Sequence, residues 1–453
     1  MCGVLGTQET SVASAIDSML KAMWRRGSST RSFTTRAGKG HYVGIGMCDH
    51  PSQPSTGFQF HGDLVVAVDG FFYDPLKLVK AALWKGQPRS LSELVTLPGA
   101  FSFVAVAGEQ LYAGREPVGQ KPLYYGEGPN GVLVVASLRS ALAAVGMKSP
   151  EAVPPGFVLA ISKRRFTQFG DEHRLEGSGT SITSEEEAVS RLGELFHEAV
   201  SKGVPPDSGI AFSGGLDSTL VAVACKNAGK GPELVTVGVE GQPELEHAHR
   251  VATELGLPIT ICELSSSEII DSLGEVVGIV ESTDPVVVGV SVPFYFACRK
   301  ARQMGLSTIV AGQMSDELFG GYARFEELAL EGELERVESE MWKSVQMAPS
   351  NDFEPGDKVA VSLGLELRCP FAYIPLVEYA LQLPVSLKVS VSRGRVVRKL
   401  VLRRLAEKMM LPDTVVNRPK KAVQYSSGVQ RVLRKEARRR NKGLNEFLES
   451  FAD

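Results

Sequence analysis

The feature that most restricts the fold of this 453-residue chain is a regular alternation of apolar runs and helical segments beyond position 184. Short apolar runs predict strands, and longer segments with helical periodicity predict helices. We predict helices at 188–200, 218–227 and 245–255, and strands at 210–212, 233–239, 258–262 and 307–311. Strands that alternate with helices in this way predict a doubly wound parallel sheet, and the C-terminal part is predicted to be helical.

The N-terminal part of the chain has a different pattern. Apolar runs interrupted by Gly and Pro predict strands at 42–47, 64–68, 101–107 and 132–136. Helices are predicted at 14–24 and 76–84. A polar stretch at 166–184 predicts a linker, so two domains are expected, at 2–165 and 185–453. The length of the chain also favours more than one hydrophobic core.

Composition argues against several classes of function. The formal net charge of -3 disfavours a dedicated nucleic-acid binder, because such proteins usually carry a basic excess. No apolar run reaches the length of about 20 residues that spans a bilayer, and the first residues lack the pattern of a secretory signal. The cysteines are scattered and include no Cys-x-x-Cys pair, which argues against a zinc site or a disulfide framework. We therefore expect a cytoplasmic protein with small-molecule substrates and without nucleic-acid or membrane partners.

A glycine-rich turn follows the predicted strand at 210–212 and leads directly into a helix. Backbone N–H groups at a helix N-terminus, together with the helix dipole, favour an anion such as phosphate. Serine hydroxyl groups can add donors, and Asp217 would repel phosphate unless a cation such as Mg²⁺ lies between them. The turn lacks the Gly-Lys-Ser/Thr of a Walker loop, and by itself it is also compatible with an ordinary strand-to-helix connection. The turn resembles the pyrophosphate loop of PP-loop ATP pyrophosphatases, and this resemblance implies ATP or pyrophosphate as the ligand. The binding candidates are then Phe212, Ser213, Gly214, Gly215, Asp217, Ser218, Val237 and Gly312.

A second polar turn follows the predicted strand at 307–311 and contains Gln313 and Asp316. By itself this turn is equally compatible with a capped helix start. However, loops at the carboxyl ends of parallel strands meet at one edge of the sheet, which is the usual ligand crevice of such folds. Asp217 and Asp316 together are therefore predicted to hold Mg²⁺ on a pyrophosphate group.

Several segments of the C-terminal half resemble motifs of the asparagine synthetase family and occur in the same order. They are 213–218 (Ser-Gly-Gly-Leu-Asp-Ser), 281–285 (Glu-Ser-Thr-Asp-Pro), 312–322, 362–371 and 417–421 (Asn-Arg-Pro-Lys-Lys). The first also resembles the pyrophosphate loop of PP-loop ATP pyrophosphatases. The resemblance implies an adenine nucleotide alpha hydrolase-like domain that cleaves ATP between its α- and β-phosphates. It makes Lys420 the main candidate for neutralising triphosphate charge, whereas Arg368 is expected to be structural.

A basic stretch at 388–408 contains eight Lys or Arg residues and one Glu. It is compatible with a solvated helix face. It is equally compatible with a face that neutralises the triphosphate together with Lys420.

The N-terminal half resembles a class II glutamine amidotransferase, which implies an Ntn-hydrolase-like αββα sandwich. The similar segments are 25–29, 114–125, 135–137 and 154–156. Removal of Met1 would leave Cys2 with a free α-amine beside its thiol, which makes a nucleophile with its own base. A cysteine at the second position has little meaning when it is considered alone.

The expected glutamine site departs from the family pattern. Asp69 and Gly70 stand at the oxyanion hole, where the family has an asparagine and a glycine, and an ionised Asp69 would oppose the charge that the hole stabilises. Phe71 cannot pair with the amine of glutamine. No arginine lies at 47–53, where the family clamps the glutamine carboxylate. We therefore predict weak or absent glutaminase activity, with ammonia or another amine as nitrogen donor.

The synthetase motifs also depart from the family pattern. Gln313 replaces a glutamate, and an amide cannot act as a general base for an incoming ammonium, although it can orient one. Val286, Val287, Val288 and Gly289 replace a Thr-Thr-x-Arg sequence. An aspartate substrate would lose an expected contact there, so the acceptor specificity of the family does not transfer.

The resemblance implies a ligase that uses ATP and Mg²⁺ to adenylate a carboxylate, with aspartate as the default substrate, and that releases AMP and pyrophosphate. Ammonia or glutamine would supply the nitrogen, and a homodimer is one compatible assembly. Two alternatives stay open. One is the same chemistry on another substrate, as β-lactam synthetases use with an internal amine, and the other is a PP-loop RNA-modifying enzyme.

Overall fold

A computed structural model describes most of the chain. The described residues are 1–27, 29–37, 40–49, 58–61, 64–74, 90–162, 165–170, 172–175, 184–392, 395–420 and 423–452. The chain divides into two compact units, Met1–Leu175 and Glu176–Asp453. The predicted helix at 76–84 and residues 176–183 of the predicted linker lie outside the described residues.

The first unit is built from two antiparallel sheets and short helices. Its strands are β1 (Cys2–Gly6), β2 (Ser29–Arg36), β3 (Tyr42–Asp49), β4 (Phe58–His61), β5 (Leu64–Phe72), β6 (Gly99–Ala107), β7 (Gln110–Arg115), β8 (Tyr124–Glu127), β9 (Leu133–Ala136), β10 (Glu151–Ala152), β11 (Val158–Ser162) and β12 (Arg165–Gln168). Its α-helices are α1 (Glu9–Ala22), α2 (Ser90–Leu94) and α3 (Arg139–Ala143), and 3-10 turns lie at Trp24–Arg26 and Pro129–Gly131. One six-stranded sheet has the order β10-β8-β9-β1-β3-β2, and the other has the order β12-β11-β7-β6-β5-β4.

Alternating side chains place these elements in four layers. In β1, Leu5 points into the core between the two sheets, whereas Val4 points to the opposite face and packs with Ile16 of α1. On the outer face of the second sheet, Leu91 of α2 packs in a cluster with Phe103. The predicted αββα sandwich is therefore confirmed.

Strand β12 occupies the start of the segment predicted as a linker. It pairs with β11 from Leu159 opposite Gln168 to Ser162 opposite Arg165. The Phe166 ring lies 4.8 Å from the Tyr125 ring and packs against the core between the sheets. The sheet therefore continues beyond residue 165, because one apolar side chain anchors a strand whose other residues are polar.

The second unit contains a parallel sheet surrounded by helices. Its sheet strands are β13 (Gly209–Ala211), β14 (Glu233–Val239), β15 (Ile259–Leu264), β16 (Thr308–Val310) and β17 (Glu366–Arg368), in the order β15-β14-β13-β16-β17. All neighbouring strands in this sheet are parallel, which confirms the predicted parallel α/β fold. A separate hairpin is formed by β18 (Val389–Ser392) and β19 (Arg395–Arg398), so the C-terminal part is helical with one β interruption.

The helices of this unit are numbered in chain order. They are α4 (Glu185–Gly203), α5 (Leu216–Asn227), α6 (Pro243–Leu255), α7 (Ser266–Asp271), α8 (Leu273–Val280), α9 (Pro285–Gln303), α10 (Ser315–Phe319), α11 (Ala323–Leu330), α12 (Leu334–Ala348), α13 (Glu354–Ser362), α14 (Ile374–Gln382), α15 (Val385–Lys388), α16 (Leu400–Lys408), α17 (Asp413–Val416), α18 (Val423–Ser426), α19 (Val429–Arg439) and α20 (Leu444–Glu449). A π-turn at Pro349–Phe353 joins α12 to α13, and a 3-10 turn lies at Pro370–Ala372.

Within the described ranges, no single helix has both the length and the apolar character to cross a bilayer. By length and composition alone, the pair α8 and α9 passes this criterion together, although the two helices are bent by 111°.

Candidate active site

The two turns predicted to bind nucleotide lie side by side at one edge of the parallel sheet. β13 pairs with β16 in parallel register, with Ile210 opposite Val310. Both strands therefore end at the same edge, and the turns that follow them meet there. The cavity at this edge is lined by the predicted residues Phe212, Ser213, Asp217, Ser218, Val237, Gly312, Gln313, Asp316 and Lys420.

The glycine turn before α5 has a backbone that only glycine adopts easily. Gly214 has a φ of 66°, and a Cβ there would come within 2.9 Å of the His247 ring. His247 Nε2 lies 2.9 Å from the carbonyl oxygen of Gly214 and supports the turn from outside. The Ser218 hydroxyl accepts a hydrogen bond from the N–H of Ser213 at 3.2 Å, and the Ser213 hydroxyl accepts one from the N–H of Gly215 at 3.3 Å. Both hydroxyl groups therefore lie at the turn, where phosphate oxygens could accept from them.

One buried lysine joins the acidic residues of the two turns. Lys399 Nζ lies 2.6 Å from Asp217 Oδ1, 2.7 Å from Asp316 Oδ1 and 2.6 Å from Ser315 Oγ. The Lys399 side chain is only 2% exposed, so these oxygens replace water around its ammonium group. The structure thus brings Asp217 and Asp316 onto the same nitrogen atom.

A second lysine contacts the remaining oxygens from the cavity side. Lys420 Nζ lies 2.6 Å from Asp316 Oδ2 and 3.2 Å from Asp217 Oδ2. Its side chain is 29% exposed and lines the cavity. The four carboxylate oxygens are therefore divided between two ammonium groups, one enclosed and one accessible.

The lysines determine the charge of this cluster. Burial alone would raise the pKa of the Asp217 carboxyl, but the ammonium groups of Lys399 and Lys420 outweigh burial and lower it. The pKa of Asp316 is lowered for the same reasons. Burial would lower the pKa of the Lys420 ammonium, but Asp316 and Asp217 raise it. Both aspartates are therefore ionised, and Lys420 is protonated.

Two glycines allow the charged side chains to approach the backbone closely. A Cβ on Gly321 would lie 1.8 Å from Asp316 Oδ1 and 2.4 Å from Cε of Lys399. A Cβ on Gly312 would lie 3.0 Å from the Cβ of Asp217. The N–H of Gly321 also donates to the carbonyl oxygen of Asp316 at 2.9 Å. A side chain at position 321 would therefore displace the centre of the cluster.

A cavity of about 320 Å³ opens beside the cluster. One wall is formed by the first turns of α9, which present Val286, Val287, Val290 and Phe294. Asp284 caps this helix, because its Oδ1 accepts from the N–H groups of Val286 and Val287 at 2.7 and 3.1 Å. Among the described residues that line the cavity, Lys420 is the only basic one.

Gln313 is held at the cavity wall by both ends of its amide. Its Nε2 donates to the carbonyl oxygen of Asp352 at 3.0 Å, and its Oε1 accepts from the Cys369 thiol at 3.2 Å. The amide therefore has one N–H and one lone pair left for a ligand.

Two further carboxyl groups, those of Glu317 and Asp352, line the same cavity. Burial and the neighbouring Glu317 raise the pKa of Asp352, and burial and Asp316 raise the pKa of Glu317. The Tyr322 hydroxyl donates to Glu317 Oε1. Protonation is thus favoured at this pair, which limits the negative charge of a cavity that a triphosphate would enter.

The predicted glutamine site of the first unit is occupied by a buried ion pair. Arg26 Nη2 lies 2.7 Å from Asp69 Oδ2, and the Ser137 hydroxyl donates to the same oxygen at 3.4 Å. The α-amine of Met1 donates to Ser137 Oγ at 3.1 Å. Burial would raise the pKa of Asp69, but Arg26 and Lys121 outweigh burial and lower it. Asp69 is therefore ionised, and its charge is directed at Arg26.

Cys2 is fully buried on the α1 side of the first sheet, among Ile16 and Leu20. Burial raises the pKa of the Cys2 thiol to about 12. Phe71 is also buried, and its ring makes an edge contact with another aromatic ring at 5.4 Å. Gly70 has a φ of 124°, and a Cβ there would lie 2.0 Å from the carbonyl oxygen of Ala100. Within the part of the chain that the structure describes, Cys2, Gly70 and Phe71 are therefore all buried.

Comparison with known families agrees with the geometry of both units. A family model described as asparagine synthase matches residues 191–338 and 328–446, and one described as a glutamine amidotransferase domain matches residues 45–144. The chain belongs to the asparagine synthetase family. A protein of Brassica oleracea named asparagine synthetase (glutamine-hydrolyzing) is 32% identical over 351 residues, which cover 74% of this chain and 58% of that protein.

Other relatives in the asparagine synthetase family give the same result. A putative asparagine synthetase (glutamine-hydrolyzing) 1 of Methanocaldococcus jannaschii is 32% identical over 324 residues, which cover 64% of this chain and 59% of the relative. A probable asparagine synthetase (glutamine-hydrolyzing) of Dictyostelium discoideum is 28% identical over 360 residues, which cover 74% and 64%, respectively. The chain thus spans less than two thirds of the length of these relatives.

Sequence patterns did not single out Lys399, although it lies at the centre of the candidate site of this asparagine synthetase family member. In the basic stretch at 388–408, it is Lys399 that reaches the aspartates, whereas Arg398 donates to the carbonyl oxygen of Gly321 and Arg403 to that of Arg418. Lys399 has a left-handed φ of 58° immediately before α16. One feature of the sequence could have indicated this role. Lys399 stands just before the apolar first residues of α16, so its side chain lies at a buried helix end.

Two further motif residues have structural partners. Arg368 lies 2.8 Å from Glu366, in agreement with the structural role expected for it. Glu281 lies 2.9 Å from Lys358, and both side chains are largely buried. The Glu281–Lys358 pair connects the end of α8 to α13, whereas Arg368 and Glu366 lie in the same strand. None of the four residues is among those that line the cavity.

Proposed function

We propose that this chain is an ATP-dependent ligase that adenylates a carboxylate, releases pyrophosphate and passes the acyl group to a nitrogen nucleophile. One observation supports the proposal most strongly: Asp217 and Asp316 both contact Lys399 beside the glycine turn. Two ionised carboxylates next to a helix N-terminus form an arrangement suited to Mg²⁺ and pyrophosphate.

The donor set fits Mg²⁺ that arrives together with ATP. Asp217 and Asp316 supply oxygen donors, which Mg²⁺ prefers. Within the described part of the chain, no group of three or more His, Cys, Asp or Glu side chains could hold a metal ion. Because Mg²⁺ is often bound by one or two carboxylates plus substrate phosphates, two aspartates suffice here. Mg²⁺ in this position would neutralise the phosphates that leave as pyrophosphate.

The residues of the chain would bind ATP and stabilise the charge that develops. The turn at 213–215 and the hydroxyl groups of Ser213 and Ser218 would hold the pyrophosphate portion. A carboxylate oxygen of the substrate attacks the α-phosphorus, and the bond from that phosphorus to the β-phosphate oxygen breaks, which gives acyl-AMP and pyrophosphate. Lys420, on the cavity side, would stabilise the negative charge of this step. The nucleophile then forms the amide bond, and AMP leaves.

Aspartate is the default carboxylate, because the relatives are named asparagine synthetases. A second candidate is a carboxylate with one acidic group, and the wall of α9 favours it. Val286 and Val287 stand in that wall, and Lys420 is the only basic residue among the described residues that line the cavity. The second carboxylate of aspartate would find no cation among them other than Lys420, which already pairs with Asp217 and Asp316. The RNA-modifying alternative has no support, because the matched family is asparagine synthase.

Ammonia or another amine is the proposed nitrogen donor. In the chain that retains Met1, the Cys2 thiol is buried, and burial raises its pKa. Arg26 is engaged by Asp69, so its charge is not directed at a glutamine carboxylate. The cytoplasmic location and the homodimer stay predictions.

The test is ATP–pyrophosphate exchange by the purified full chain with Mg²⁺ across the free amino acids and simpler carboxylates. We expect exchange and AMP formation that depend on one carboxylate or a small group of them. Dependence on aspartate would select the default substrate, and dependence on a monocarboxylate would select the second candidate. Failure to form AMP or exchange pyrophosphate with any acid would contradict the proposal.

A further inference from the structure

Lys420 and a divalent cation require the same oxygen atoms. Lys420 Nζ contacts Oδ2 of both Asp217 and Asp316, while Lys399 Nζ contacts Oδ1 of both. Every oxygen of the two carboxylates therefore has an ammonium group within 3.2 Å. A magnesium ion between the aspartates would need at least two of these oxygens and would then lie close to an ammonium group. The like charges repel, so metal entry is opposed unless one lysine withdraws.

The two lysines differ in their ability to move. Lys399 is 2% exposed and has a third contact, with Ser315 Oγ at 2.6 Å. Lys420 is 29% exposed and borders the cavity that ATP would enter. Lys420 is therefore the exchangeable cation, and Lys399 is the fixed one.

Charge balance links this exchange to the nucleotide. Two ionised aspartates and two ammonium groups form a neutral cluster, and a divalent cation alone would add two positive charges at short range in a poorly hydrated site. ATP carries several negative charges, which can receive both the metal ion and the displaced ammonium group. The nucleotide thus removes the electrostatic cost of metal entry.

We propose that Lys420 closes the metal site of the nucleotide-free protein and moves to the phosphates when ATP enters, so that metal binding depends on nucleotide. This inference rests on the proposed ATP-dependent function. Lys420 thereby neutralises the aspartates before ATP binds and the phosphates afterwards. Its charge has an anionic partner in both states.

The test is titration of the full chain with Mn²⁺, followed by electron paramagnetic resonance, for the wild type and for Lys420→Gln, Lys420→Arg and Lys343→Gln. Lys343 is 60% exposed on α12, so its variant controls for the loss of one positive charge. Without nucleotide, we expect Lys420→Gln to bind Mn²⁺ about tenfold or more tightly than the wild type, which corresponds to about 1.4 kcal/mol. Lys420→Arg and Lys343→Gln should bind Mn²⁺ as weakly as the wild type.

The wild type provides a second measurement that needs no substitution. Addition of α,β-methylene-ATP should increase protein-bound Mn²⁺ beyond the amount that the nucleotide binds by itself. Equal Mn²⁺ affinities of the wild type and of folded Lys420→Gln without nucleotide would overturn the inference. If Lys420→Gln binds Mn²⁺ tightly but the nucleotide has no effect on the wild type, Lys420 closes the site, but its proposed release by ATP is overturned. ATP–pyrophosphate exchange tests the proposed function separately.

Discussion

The two units each contain a buried acidic residue paired with a basic one, but the pairs differ in what they face. In the second unit, Asp217 and Asp316 have an enclosed cation, Lys399, and an accessible one, Lys420, beside a cavity. In the first unit, both members of the pair Asp69–Arg26 are buried. A ligand can rearrange a cluster that has one accessible member, whereas a fully buried pair acts as a fixed contact. Accessibility of the partner therefore distinguishes the proposed ATP site from the predicted glutamine site.

The largest effect is expected for Asp217→Asn, which preserves the shape of the side chain but removes its charge. Because the carboxylate proposed to bind Mg²⁺ becomes a neutral amide, ATP–pyrophosphate exchange should fall about 1,000-fold or more. Asp271→Asn, on the exposed end of α7, is the matched control and should leave exchange unchanged. Exchange above a tenth of the wild-type rate in Asp217→Asn would show that the cluster is not the working site.

Alkylation of Cys2 tests whether the site of the first unit is closed. With a pKa of about 12, the thiolate fraction at pH 8 is about one in ten thousand, compared with about a quarter for an ordinary thiol of pKa 8.5. Labelling of native protein by iodoacetamide should therefore be about 1,000-fold slower at Cys2 than at an unperturbed thiol. The rate should rise about tenfold per pH unit from pH 7 to pH 10, because the thiolate is the reactive form. Peptide mass spectrometry gives the labelling rate, and the denatured protein is the control. Fast labelling of Cys2 with a plateau near pH 9 would contradict the predicted loss of glutaminase activity.

Removal of the buried cation from each unit should cost similar stability but have different effects on activity. Lys399→Met and Arg26→Met each leave a buried carboxylate uncompensated, which typically costs about 3–5 kcal/mol. Hydrogen exchange in urea, measured on peptides from each unit, should place each loss in its own unit. Lys399→Met should also abolish pyrophosphate exchange, whereas Arg26→Met should retain ammonia-dependent product formation. If a folded Arg26→Met variant lost ammonia-dependent product formation, the proposed difference between the two units would be wrong.

Glycine substitutions should give the smallest effects on stability and on pyrophosphate exchange. Gly321→Ala would push a methyl group against Asp316 and Lys399, and Gly70→Ala would push one against the carbonyl oxygen of Ala100. Each should destabilise its unit by about 1–3 kcal/mol, as overpacking usually does. Only Gly321→Ala should lower pyrophosphate exchange. Gly278→Ala, with no atom within 4 Å of the new Cβ, is the control and should be neutral or slightly stabilising.

Local patterns made much of the nucleotide site predictable. An apolar strand, a glycine turn and a helix follow one another between residues 209 and 227, so hydrophobic periodicity and turn chemistry located them within a few residues. The adjacency of Asp217 and Asp316 followed from parallel pairing, because the strands before them end at one edge.

Contacts between distant positions were not predictable in this way. Lys399 meets Asp217 across 182 positions, and Arg26 meets Asp69 across 43. No periodicity or motif spacing encodes which of several basic residues turns inward at a left-handed position. Strand β12 was missed for a related reason, because Phe166 alone fixes a polar segment to the sheet.

The order in which the chain is synthesised has a consequence for the cluster. Asp217 leaves the ribosome long before the lysines that neutralise it, which lie 182 and 203 positions later. A nascent chain that stops before residue 399 has both aspartates without either of the lysines that neutralise them. We therefore expect the charge balance of the proposed ATP site to be completed only when nearly the whole second unit has been made.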